Sequence, residues 1–148
     1  MLAMFSRVSD NFFMMMNSDV TKIPNRATLP VLKRLTTAYR LWHEIMPTIT
    51  KTSRYTLGER VDRLFLEIME YMYIASFLPK DQKLPYLQQA VGKLDLLKFF
   101  LQLSWEIKVL DNKKYIALTE PLEETGRMLG GWTKQVATAP KETSAPKK

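Results

Sequence analysis

Cysteine is absent from the sequence, so no disulfide and no thiolate metal site can form, and a reducing compartment is compatible with it. Histidine occurs once, at position 43. A di-metal carboxylate bundle would need paired Glu-x-x-His motifs, and these are missing. Glycine is scarce, with five in 148 residues, and no regular strand-and-turn punctuation runs through the chain. Both features argue against an all-β fold. Long apolar runs are missing too. The best candidates, "FFMMM" and "YMYIASFL", fall far short of the roughly 18 residues that span a membrane. At the N-terminus the only basic residue is Arg7, while Ser9, Asp10 and Asn11 interrupt the apolar stretch and no small-residue cleavage site follows. A cytoplasmic protein with no membrane partner is expected.

What is present is ordinary in bulk and basic in balance. Apolar residues make up 46% and charged residues 25%, as in a folded globular domain, and the length suffices for one domain with a real core. The 22 Lys and Arg outnumber the 15 Asp and Glu, giving a formal charge of +7. That excess favours an anionic partner, nucleic acid foremost. Residues 1–27 stand apart, being Met-rich and without lasting periodicity. They admit three readings: a short accessory helix, a loose arm, or an over-extended start if Met14, Met15 or Met16 is the true one. At the other end, "ATAPKETSAPKK" has the composition of a disordered basic tail over residues 137–148.

Between the two ends, residues 28–136 carry four helical patterns. In the first, Leu32, Leu35, Tyr39, Trp42, Met46 and Ile49 repeat at alternating steps of three and four, and Pro47 predicts a kink or an end. The second opens on "TLGE", a capping-box pattern of Thr56 and Glu59, and continues through Val61, Leu64, Phe65, Ile68, Met72 and Ala75 to a stop at Leu78-Pro79. The third is expected from about Leu84-Pro85 to Leu110. Its middle, "LDLLKFFLQLSW", is apolar on more than one side, since Leu96, Phe99, Phe100 and Leu103 lie off the stripe of Leu87, Val91, Leu94 and Leu101. Either a second subunit or a wide internal core would cover that extra face. The fourth follows Asp111, an N-cap candidate, and passes through Pro121, which should bend it. Short connections between four helices predict an all-α, antiparallel up-down four-helix bundle.

Three glycines inside the fourth helix, in "EETGRMLGGWTKQ", need a reason, because each costs about 1 kcal/mol relative to alanine. Phosphate-binding loops follow a strand and precede a helix, so they do not fit here. Gly126, Gly130 and Gly131 form a small-xxx-small pattern that suits close backbone approach beside Trp132. The alternative is a loosened helix end.

The segments "RYTLGERVDRLFLEIMEY" (Arg54–Tyr71) and "LEETGRMLGGW" (Leu122–Trp132) together resemble the Avd family, the accessory variability determinants of diversity-generating retroelements. That family belongs to a wider group of small four-helix proteins that includes the ribosomal-RNA intervening-sequence proteins. The likeness spans Leu29 to Val136; residues 1–27 have no counterpart in it, and Pro121 matches imperfectly. It implies a homopentameric barrel that binds a reverse transcriptase and template RNA and supports mutagenic cDNA synthesis and retrohoming. It implies no catalytic activity of the chain's own and no cofactor. The alternative is a stand-alone RNA- or ribosome-associated bundle of the intervening-sequence type. A different class again is an interaction module whose charge serves solubility alone.

Candidate RNA-binding cations are Lys33, Arg34 and Arg40 on the first helix, Lys51, Arg54, Arg60 and Arg63 around the start of the second, and Lys93 and Lys98 on the third. Their contacts would be backbone-directed and salt-sensitive. Candidate interface residues are Leu96, Phe99, Phe100 and Leu103, with Gly126, Arg127, Gly130, Gly131 and Trp132 from the second motif. Tyr39, Trp42, Phe65, Phe99, Phe100 and Trp105 are assigned to the core, with Tyr55 as the one aromatic set apart beside Arg54. His43 is expected at the surface or in packing, and Glu67 is expected to pair with Arg63 along the helix. No catalytic or metal constellation is expected.

Overall fold

The computed structural model describes residues 28–144; the extension of residues 1–27, with its three readings, lies outside them. The described residues form no strand. They form four long helices: α1 (Thr28–Ile45), α2 (Glu59–Phe77), α3 (Lys80–Glu106) and α4 (Asn112–Ser144). Side-chain contacts fix their directions. Tyr39 and Trp42 of α1 meet Phe65 of α2, while Met46 lies near Gly58. Glu67 and Tyr71 of α2 meet Lys93 and Tyr86 of α3. Lys98 and Trp105 of α3 meet Glu123 and Tyr115 of α4, and Arg34 of α1 meets Glu124. In every pair the later residue of one helix faces the earlier residue of the other, so all neighbours are antiparallel. The four helices close into a bundle, with α1 packed on both α2 and α4.

The core is a single apolar cluster drawn from all four helices. On α2 the expected face is buried as read, from Val61 to Ala75. On α1 the buried line is Val31, Leu35, Ala38, Trp42 and Ile45, continued by Ile49 after the helix, with Leu32 and Tyr39 half-buried at its margin and Met46 half-buried just beyond its end. The stripe is thus rotated slightly from expectation, because the bundle is wide enough to use Ala38 and Ile45 as well. Each large side chain so buried contributes about 1.5–3 kcal/mol relative to exposure.

Helix boundaries follow local chemistry with three corrections. Pro47 does end α1, in a single tight turn over Met46–Thr48. The capping box does not form. The chain is already helical from Lys51, and Arg54–Gly58 makes one wide turn in which the Glu59 N–H donates to Arg54 O. Thr56 therefore has no free amide to cap, and its hydroxyl donates back to the carbonyls of Thr52 and Ser53. The third helix begins at Lys80 and ends at Glu106, with Pro85 inside it. Pro85 lies near the start, where it removes one hydrogen bond and the freed carbonyl can face water. Asp111 caps α4 as expected, its carboxylate accepting the Lys114 N–H at 2.8 Å. The helix runs through Pro121 and past Val136 to Ser144, so it overlaps the expected tail; residues 145–148 lie outside the described ones.

Candidate nucleic-acid interface

The nine candidate cations separate into three groups. Lys33, Arg40, Lys51 and Arg60 make no ion pair among the described residues. Lys33 and Arg40, seven apart on α1, share its outward face, with Thr37 between them donating its hydroxyl to Lys33 O. A second group is paired within the bundle: Arg34 with Glu124 at 3.0 Å, Arg63 with Glu59 at 3.6 Å, Lys93 with Glu67 at 3.4 Å, and Lys98 with Glu123 at 3.2 Å. The expected Arg63–Glu67 pair is replaced, because α3 brings Lys93 to Glu67 and Arg63 turns one step back to Glu59. Arg54 forms a group of its own. Its guanidinium donates to Pro47 O at 3.1 Å and Ile49 O at 2.9 Å, tying the α1–α2 corner to itself.

Surface ion pairs of this kind are worth under about 1 kcal/mol each, so the paired cations stay available to a polyanion that competes for them. Two cations that sequence reasoning left out lie at the start of α4. Lys113 is exposed, and Lys114 donates to Thr48 Oγ1 at 3.2 Å, bridging to the end of α1. The lysine pair directly after a capping Asp was the legible signal.

The candidate interface residues divide in the same way. Leu96 and Phe100 are half-buried and pack against the core, whereas Phe99 is 57% exposed on the outward face of α3 and Leu103 is half-buried. Arg127 is exposed on α4. A Cβ at Gly126 would lie 3.0 Å from Lys98 Nζ and 3.6 Å from Leu94 Cδ2, so this glycine does admit a close approach of α3. Gly130 and Gly131 are exposed, and a Cβ on either would meet nothing within 4 Å. Close packing against these two does not occur inside the protomer. Trp132 is buried in the protomer's own core, with Lys83 Nζ 5.9 Å from its ring centre.

Aromatic placement brings two further corrections. Trp42 and Phe65 are core residues as read, and Tyr55 is 62% exposed, but Phe99 and Trp105 also stand at the surface. The Tyr39 hydroxyl is held above its ordinary pKa by burial first and by hydrogen bonding to Asp62 second. Burial and the neighbouring Glu67 raise Glu70. His43 is exposed beside Tyr39. Among the described residues no three His, Asp or Glu side chains converge as metal ligands would, and no helix is long and apolar enough to cross a membrane. No family model, no curated protein and no solved structure matches the chain.

Proposed function

We propose that this chain is a non-catalytic accessory subunit of a diversity-generating retroelement. It would assemble with itself, as a pentamer on the family's pattern, and bind the reverse transcriptase and the template RNA. The chemistry of mutagenic cDNA synthesis and retrohoming is left to the polymerase. The observation that carries the reading is the pair of Avd-like segments, Arg54–Tyr71 and Leu122–Trp132, on a chain built as four packed helices.

Two surface features support it. The outward face of α3 leaves Phe99 more than half exposed beside Leu96 and Leu103, an apolar patch that a second copy would cover. Four of the candidate cations, three of them exposed, make no ion pair among the described residues, and copies of the same protomer around a ring would multiply their field. Binding of that kind follows the phosphate backbone and falls steeply with salt.

The test is gentle purification of the tagged protein from its native host, with identification of the bound proteins and RNA. The expected yield is a reverse transcriptase with a repeat-derived RNA. Ribosomal components alone would move the assignment to the intervening-sequence type, and neither would leave a scaffold whose charge serves solubility. Solution mass is the companion measurement, since a monomer at working concentration contradicts the ring.

A further inference from the structure

We propose that one end of the bundle, formed by the α1–α2 corner and the α3–α4 turn, is a subsite for single-stranded RNA, with a base stacked on Trp105. The inference rests on RNA being a partner, as read above, and adds where the strand lies and in what form.

Trp105 occupies the last turn of α3 and is 39% exposed. Its ring lies nearly parallel to Tyr115 of α4, at 12° and 5.2 Å between centroids, and its indole N–H donates to Asn112. The indole is therefore held in one orientation before any ligand arrives. It borders an open hollow of about 630 Å³ that Lys108, Leu110 and Asn112 also line. A core aromatic would not need this exposure; a stacking platform does, and ordering it during folding lowers what binding must supply.

Lys108 is the second observation. Its φ is 66°, the left-handed region, and it is the one non-glycine residue so placed among those described. It occupies the position after α3 where glycine normally serves: the Val109 N–H reaches back to Ser104 O in the bond that closes such helix ends. A lysine here bears strain that glycine would avoid, and it sets a free ammonium beside the hollow. The exposed Lys113 follows Asn112 of the lining directly in the chain, and the Lys114–Thr48 hydrogen bond ties this end of α4 to the turn after α1, three residues before the exposed Lys51. Lys51, Lys108 and Lys113 make no ion pair among the described residues. Two carboxylates oppose them, Glu106 and Asp111, and Asp111 is engaged as the α4 cap. A cationic rim around exposed rings is how single strands are held without sequence reading. Duplex RNA, its bases stacked inward, offers Trp105 no face.

The full chain is titrated with a short single-stranded RNA and with its fully paired duplex at equal phosphate concentration, following tryptophan emission. Trp42 and Trp132 are buried, so quenching reports Trp105. The single strand is expected to bind about tenfold tighter than the duplex and to quench emission, and Trp105→Leu to lose about tenfold while keeping its helicity. Lys108→Gly, which removes strain along with charge, should weaken binding and flatten its salt dependence without lowering the melting temperature. Equal binding of both RNAs with unchanged emission, or full affinity in Trp105→Leu, overturns the subsite and leaves RNA binding elsewhere intact. If the wild-type chain binds neither RNA, the RNA reading itself falls and the subsite with it.

Discussion

Replacing Gly130 and Gly131 together by alanine should make the protein more stable. Both lie inside α4, both are exposed, and neither has positive φ. Nothing stands within 4 Å of the Cβ that either would gain, so no steric term opposes the change. Glycine in a helix interior costs about 1 kcal/mol relative to alanine, and the pair should therefore add about 2 kcal/mol. With a urea slope of about 2 kcal/mol per molar, the unfolding midpoint rises by about 1 M at unchanged slope. Far-ultraviolet circular dichroism measures this directly. The titration needs two protein concentrations, because any self-association shifts apparent stability by mass action. A midpoint that stays or falls at equal slope would refute the reasoning, since something in the folded protein would then lie against these glycines. Solution mass divides the remaining outcomes. A higher midpoint with loss of the assembled species means that the glycines serve the backbone approach of another copy. A higher midpoint with assembly unchanged means that they only loosen the helix.

The parts of the fold legible in the sequence were those that a single helix decides for itself. The buried face of α2, its stop at Leu78-Pro79 and the Asp111 cap all follow from spacing and from local backbone needs. What was not legible depended on where the chain had been just before, or on which helix lay opposite. Thr56 and Glu59 have the right spacing for a capping box, but a motif read alone cannot show that Lys51–Ser53 has already begun the helix. Arg63 has a carboxylate four residues away on either side, and only the arrival of Lys93 from α3 removes Glu67 from the choice. Lys83 is the sharpest case. Placed by sequence before the third helix, it is instead buried in that helix's first turns, because Pro85 is tolerated so close to the start. Its ammonium donates to Ala75 O at the end of α2, a partner that no periodicity could supply. The surface site was half legible for the same reason. Cations could be counted along the chain, but the meeting of Lys114 with Thr48 at the α1–α2 corner needed the bundle to close.

Other substitutions test particular contacts. Gly126→Ala should gain much less than Gly130→Ala, because the same helix gain of about 1 kcal/mol is offset when the new methyl displaces the Lys98 ammonium from Glu123, a pair worth about 0.2–1 kcal/mol. A urea midpoint equal to that of Gly130→Ala would show that Lys98 moves freely. Asp111→Ala removes the acceptor for the Lys114 N–H and should lower stability by about 1 kcal/mol, again read from the midpoint. Lys83 should reveal itself through pH, since burial pushes its pKa below the ordinary 10.5. Between that lowered value and 10.5 the unfolded chain binds the extra proton, so the Lys83 contribution to stability rises as pH increases through this window. Tyr39 and Tyr71, both raised above 10.0, act in the opposite sense, keeping their full contribution below 10.0 and losing it as pH climbs through their folded values. The wild type alone would mix the two effects, but its difference from Lys83→Met cancels the tyrosines. That difference should grow in favour of the wild type on going from neutral to alkaline pH, and a flat difference would mean that the folded protein holds the Lys83 ammonium as comfortably as water does.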